Sequence, residues 1–108
     1  MTQMQMDRVR FVGIDKLHLD AYTSNELQRV VARGVDHLRE RAGDLIDVTV
    51  RLKAHRLPGT DERYAALIEM SYSAGWISGI ADDWDLLSAV KRAFGKLMLQ
   101  IEQASLLD

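Results

Sequence analysis

Apolar residues recur along this chain with two different periods, and the periods alternate in blocks. Between Arg8 and Gly13 the period is two. Val9 and Phe11 fall on one side and Arg8 and Arg10 on the other, which predicts a short strand. From Leu27 the period lengthens to that of a helix, with Leu27, Val30, Val31, Val35, Leu38 and Ala42 on a single face. Thr23-Ser24-Asn25-Glu26 has the form of a capping box at its start, and Gly43 fits its stop. The stretch Ile14–Tyr22 reads either as a continuation of the strand or as a loop.

Asp47–His55 returns to strict alternation. Val48, Val50, Leu52 and Ala54 share one face; Thr49, Arg51, Lys53 and His55 share the other, as in a half-buried strand. Leu57-Pro58-Gly59-Thr60-Asp61 is a turn. Arg63–Ser73 is a further strand, with Ala66, Ile68, Met70 and Tyr72 together, and Gly75 turns the chain into Trp76–Ala81. Asp85 then caps a final helix whose stripe is Leu86, Val90, Ala93, Phe94, Leu97 and Ile101. Lys91, Arg92 and Lys96 lie outside that stripe.

The order β-α-β-β-β-α predicts an α+β fold. Two helices with one apolar stripe each cover one face of a four-stranded mixed sheet. The first two strands run parallel across the helical crossover, the later ones form an antiparallel meander, and the other sheet face is exposed.

Composition narrows the function more than the fold. The 108 residues are read as one domain, 1–108, with 1–7 flexible. No apolar run approaches membrane-span length, and the start lacks the apolar segment of a secretory signal, so no membrane partner is expected. With no cysteine, disulfides and thiolate metal sites are excluded. A net charge of −2 argues against a uniformly basic nucleic-acid binder but leaves room for a local patch. After Tyr64 the only cations are Lys91, Arg92 and Lys96, all on the last helix.

Catalytic patterns are missing. There is no phosphate-binding glycine loop and no nucleophile elbow. His18, His37 and His55 lack metal-ligand spacing, and Asp82, Asp83 and Asp85 read as capping and solvated groups. The expectation is a binding protein without enzyme activity, metal or cofactor.

The last helix carries a more specific pattern: Asp85, then Ser88-Ala89, Val90, Ala93, Lys96-Leu97 and Gln100. With Ser24, Leu27, Val31, Val35 and Leu38 in the first helix and the strand order above, it resembles the ribosome hibernation-promoting factor and ribosome-associated inhibitor family, also called sigma modulation proteins. The match runs from about residue 9 to about residue 103. The resemblance implies a cytoplasmic stress-response regulator of translation, a divergent short form that occupies the RNA channel of the small ribosomal subunit. Lys96 coincides with a family lysine, whereas Gly34 and His37 stand where the family has lysines, and the residues after Gln100 hold no cation.

Two sets of residues are candidates. For ribosomal RNA phosphates they are Lys91, Arg92 and Lys96, then Arg29, Arg33 and His37 on the first helix, and Arg51 and Lys53 on the free sheet face beside Arg8 and Arg10. The competing reading is solvated faces with local ion pairs: Asp36 and Glu40 for the first helix, Glu69 for the sheet. For a protein partner they are Trp76 and Ile80, with Leu67, and also Leu99. A register one residue different would instead bury the Trp76 group. The alternative function is therefore a protein–protein module that homodimerises through the exposed sheet face, with ribosome binding lost.

Overall fold

A computed structural model describes residues 9–43, 45–56, 58–59 and 61–106. Strand β1 (Val9–Val12) leads through a 3-10 turn (Ile14–Leu17) to helix α1 (Ala21–Ala42). Strands β2 (Leu45–Arg56), β3 (Glu62–Tyr72) and β4 (Gly75–Asp83) follow, and helix α2 (Leu86–Leu106) ends the described chain. The fold is the expected α+β arrangement, with sheet order β1-β2-β3-β4. β1 pairs parallel with β2, Val9 opposite Val48; the other pairings are antiparallel.

The alternation in β2 and β3 separates two environments. Val48, Val50, Leu52, Ala66, Ile68 and Met70 are buried beneath the helices with Leu27, Val31, Val35 and Leu38 of α1 and Val90, Ala93, Leu97 and Ile101 of α2. Both apolar stripes thus close over one sheet face. Gly13, at φ +87°, starts the 3-10 turn where β1 ends; a Cβ there would overlap the Leu52 carbonyl oxygen.

The start of α1 corrects one expectation. Its N-cap is Asp20, not the Thr23–Glu26 box: the Asp20 carboxylate accepts from the Thr23 N–H at 2.8 Å. A carboxylate at the N-cap also meets the positive end of the helix dipole, so the helix gains a turn that the box would have left outside. Hydrogen bonding from the Thr23 side chain first, and from its N–H second, holds the Asp20 carboxyl below its ordinary pKa. Gly43 ends the helix as expected, its N–H donating to the Arg39 carbonyl at 3.0 Å.

Candidate nucleic-acid interface

The expected cations are spread over three surfaces. Arg33 and His37, one turn apart on α1, face Lys91 of α2 across a groove of about 310 Å³. Its walls and floor are Val30 and Gly34 from α1 and Phe94, Gly95 and Met98 from α2. Gly95 leaves the gap open, since a Cβ there would meet only empty space, while at Gly34 the Phe94 ring fills the place a side chain would take. No acidic residue lines the groove. Among the described residues, Arg33, His37 and Lys91 have no ion-pair partner. The other α1 arginines do: Arg29 lies 3.6 Å from Glu26, Arg39 lies 3.9 Å from Asp36, and Arg41 lies 3.7 Å from Glu102 of α2.

Arg92 and Lys96 sit on another side of α2, turned to the open edge of β4. Arg92 donates to the Asp82 carbonyl at 2.8 Å, Lys96 donates to the Ile80 carbonyl, and Gln100 donates to the Ser78 carbonyl at 2.5 Å. Every fourth helical residue therefore meets every second strand residue. The match is geometric, because four residues of helix rise about 6 Å and two residues of strand about 6.8 Å. The result is a side-chain ladder along an edge that would otherwise offer unpaired carbonyls.

The third surface is the free sheet face. Rows across the sheet place Val12, Arg51, Leu67 and Ile80 in line, and Arg10, Thr49, Glu69 and Ser78 in the next. Arg10 thus lies opposite Thr49, so the expected side-by-side grouping with Arg51 and Lys53 does not form, and Arg8 falls outside the described residues. Short β1 ends at Val12, before it would reach Lys53. Arg51 pairs with Glu69 at 2.6 Å, as the competing reading of local ion pairs on the sheet expects. Arg63 similarly pairs with Asp82 at 3.1 Å and lies 5.0 Å from the centre of the Trp84 ring.

Trp76 and Ile80 project from this same face, 62% and 59% exposed, so the register in which they are free is the one adopted. Gly79 explains it: it points at α2, where a Cβ would lie 2.6 Å from the Ala93 carbonyl oxygen. Leu99 is exposed too, but on the solvent side of α2, and belongs to a different surface from Trp76.

The acidic run at the end of β4 acts locally. Asp83 accepts from the Asp85 N–H at 3.0 Å, and Asp85 accepts from the Ser88 N–H at 2.9 Å and from its hydroxyl at 2.8 Å. Backbone donation lowers the Asp83 pKa, with Arg92 adding to it, and the Arg63 hydrogen bond lowers that of Asp82. Among the described residues no group of three or more His, Asp or Glu side chains is arranged to hold a metal ion, and no helix is long and apolar enough to cross a membrane.

The helix-covered mixed sheet has a counterpart among solved structures. The chain is similar to the Thermus thermophilus Protein Y N-terminal domain, with a TM-score of 0.55 and 17% sequence identity, covering 93% of this chain and 98% of that one. That likeness establishes the shared fold. No family model matches the sequence, and no curated protein matches it.

Proposed function

We propose that this chain is a ribosome-associated factor of the hibernation type, and that the cationic rim of the α1–α2 groove holds ribosomal RNA backbone. The observation behind this reading is the convergence of Arg33, His37 and Lys91, drawn from two helices, around a site that no carboxylate lines. Phosphates attract such cations without regard to base sequence. The pattern in α2 and the fold shared with the Protein Y domain support the reading from two other directions.

Arg92 and Lys96 serve the fold first, through the β4 edge, and flank the RNA surface rather than centre it. Arg29 and Arg51 are matched by Glu26 and Glu69 and contribute less. Co-sedimentation with ribosomes from stationary-phase cells tests this. Wild type pellets with the small subunit, and Lys91→Glu combined with Arg33→Glu lowers recovery and flattens the salt dependence by about two units of log–log slope. Recovery unchanged by these substitutions across a salt series refutes the assignment.

A second reading concerns the free sheet face. With Arg51 and Arg63 already neutralised by acids, the exposed Trp76, Ile80 and Val12 suit another copy of the chain better than RNA. A salt-insensitive dimer in light scattering that Trp76→Arg dissolves supports it; a monomer at every concentration refutes it.

A further inference from the structure

The groove has a feature that phosphate binding alone leaves unused, namely its apolar floor. Val30 and Met98 are half-buried there and the Phe94 ring forms its base, recessed below the cations. A duplex presents phosphates on its outside and keeps its bases stacked inside, so it would satisfy Arg33 and Lys91 and leave this floor dry. A group that fills both parts needs a flat apolar body attached to an anion.

We infer that the groove receives one unstacked nucleotide of a single-stranded RNA segment, its base against Met98, Phe94 and Val30 and its phosphate between Arg33 and Lys91. The inference rests on the RNA-binding reading above and specifies the form of RNA. Size agrees: about 310 Å³ is at the small end of ligand clefts, roughly 300–1,000 Å³, and suits one base rather than a pair. Chemistry agrees as well. The accessible part of the floor is Met98 and Val30 over the buried Phe94 ring, and a methionine thioether and the Arg33 guanidinium plane both pack well against an unpaired base. Charge is complementary, since the two cations Arg33 and Lys91, with the His37 imidazole beside them, and no acid face the space.

Gly95 allows a test that removes no charge. Gly95 lines the groove and a Cβ on it meets nothing within 4 Å, so Gly95→Leu brings a bulky side chain to the groove without a clash while improving helix propensity. Circular dichroism and thermal melting verify that the variant folds. Fluorescence anisotropy then compares a labelled single-stranded RNA decamer with a duplex of the same length. The expected result is that wild type prefers the single strand, that Gly95→Leu weakens single-strand binding about tenfold and leaves duplex binding unchanged, and that Lys91→Glu weakens both. Equal single-strand binding by wild type and folded Gly95→Leu overturns the inference. So does tight binding of free GMP without any single-strand preference, which would make the site one for a free nucleotide. Ribosome pelleting keeps the two readings apart. Pelleting that survives Gly95→Leu alongside unchanged decamer binding removes the inference and leaves the ribosome reading standing. Decamer binding that Gly95→Leu weakens, in a wild type that never pellets, removes the ribosome reading and leaves the inference.

Discussion

Gly34 and Phe94 occupy one another's space: a Cβ built on Gly34 would fall 2.7 Å from the Phe94 ring. The two helices therefore approach through a ring seated against bare backbone. Gly34→Ala gains up to about 1 kcal/mol of helix propensity, but overpacking a filled core costs about 1–3 kcal/mol. Phe94 is buried, so its ring has little room to yield. A net loss of about 1–2 kcal/mol in urea denaturation is expected. In a double-mutant cycle with Phe94→Leu, part of that loss should disappear, because the smaller partner gives the methyl group room.

Gly79 makes the same kind of contact with a stiffer neighbour. Its Cβ would meet the Ala93 carbonyl oxygen at 2.6 Å and Lys96 Cβ at 3.1 Å. A backbone oxygen cannot rotate aside as a side chain does, so α2 has to lift from β4. Gly79→Ala is expected to destabilise by about 2–3 kcal/mol, whereas Ser78→Ala, beside it on the free face, stays within about 0.5 kcal/mol. Equal effects at the two positions would contradict the observed facing of β4.

The ladder of Arg92, Lys96 and Gln100 predicts a change in association. Replacing all three by Met keeps side-chain length and helix propensity but removes every donor to the Asp82, Ile80 and Ser78 carbonyls. The Arg92 and Lys96 bonds are exposed and the Gln100 bond is part-buried, so each contributes only about 0.5–1 kcal/mol and the domain should still fold. An uncovered edge strand is a template for another strand. Concentration-dependent oligomers in light scattering, with faster amide exchange in β4, are the expected outcome; an unchanged molar mass would show that the ladder does not guard the edge.

How far these features could be read beforehand depends on where their causes lie along the chain. The order of elements was legible because each block keeps its own apolar period, and the Val48–Val50–Leu52 alternation admits a single register. In β4 the alternation fails, since Trp76 and Ile80 on one face are matched by Ile77 and Ala81 on the other; only the close approach of Gly79 to α2 decides between them. The cap of α1 was misread because Asp20 and the Thr23–Glu26 box both offer N-cap side chains, and only the Asp20 bond to the Thr23 N–H decides between them. The groove joins Arg33 to Lys91, and the ladder joins residues 16 and 22 positions apart. Such pairings arise from helix placement, which periodicity does not encode. The exposed cations were thus identifiable as a set, but their division between the α1–α2 groove and an edge-covering ladder was not.

A final prediction concerns pH. Asp82 is held below its ordinary pKa chiefly by the Arg63 hydrogen bond, and Asp83 chiefly by the Asp85 N–H. A carboxylate whose pKa is lower folded than unfolded stabilises the fold above the unfolded value, about 3.9, and loses that contribution as pH falls through the folded value. Neutral and mildly acidic solutions should therefore leave the end of β4 intact, and loosening should set in only below about pH 4. Arg63 stands over Trp84, so indole fluorescence, with the Trp76 contribution subtracted by comparison with Trp84→Phe, reports the event. In wild type, the fluorescence transition and the Asp82 carboxyl carbon shift are expected to share a midpoint below the usual aspartate value. Arg63→Gln removes the charged donor and should move the Asp82 midpoint upward while leaving Asp83, bonded to backbone, nearly where it was. A common upward shift of both would mean that the two carboxylates respond to the charge of Arg63 at a distance, not to the single hydrogen bond that joins it to Asp82.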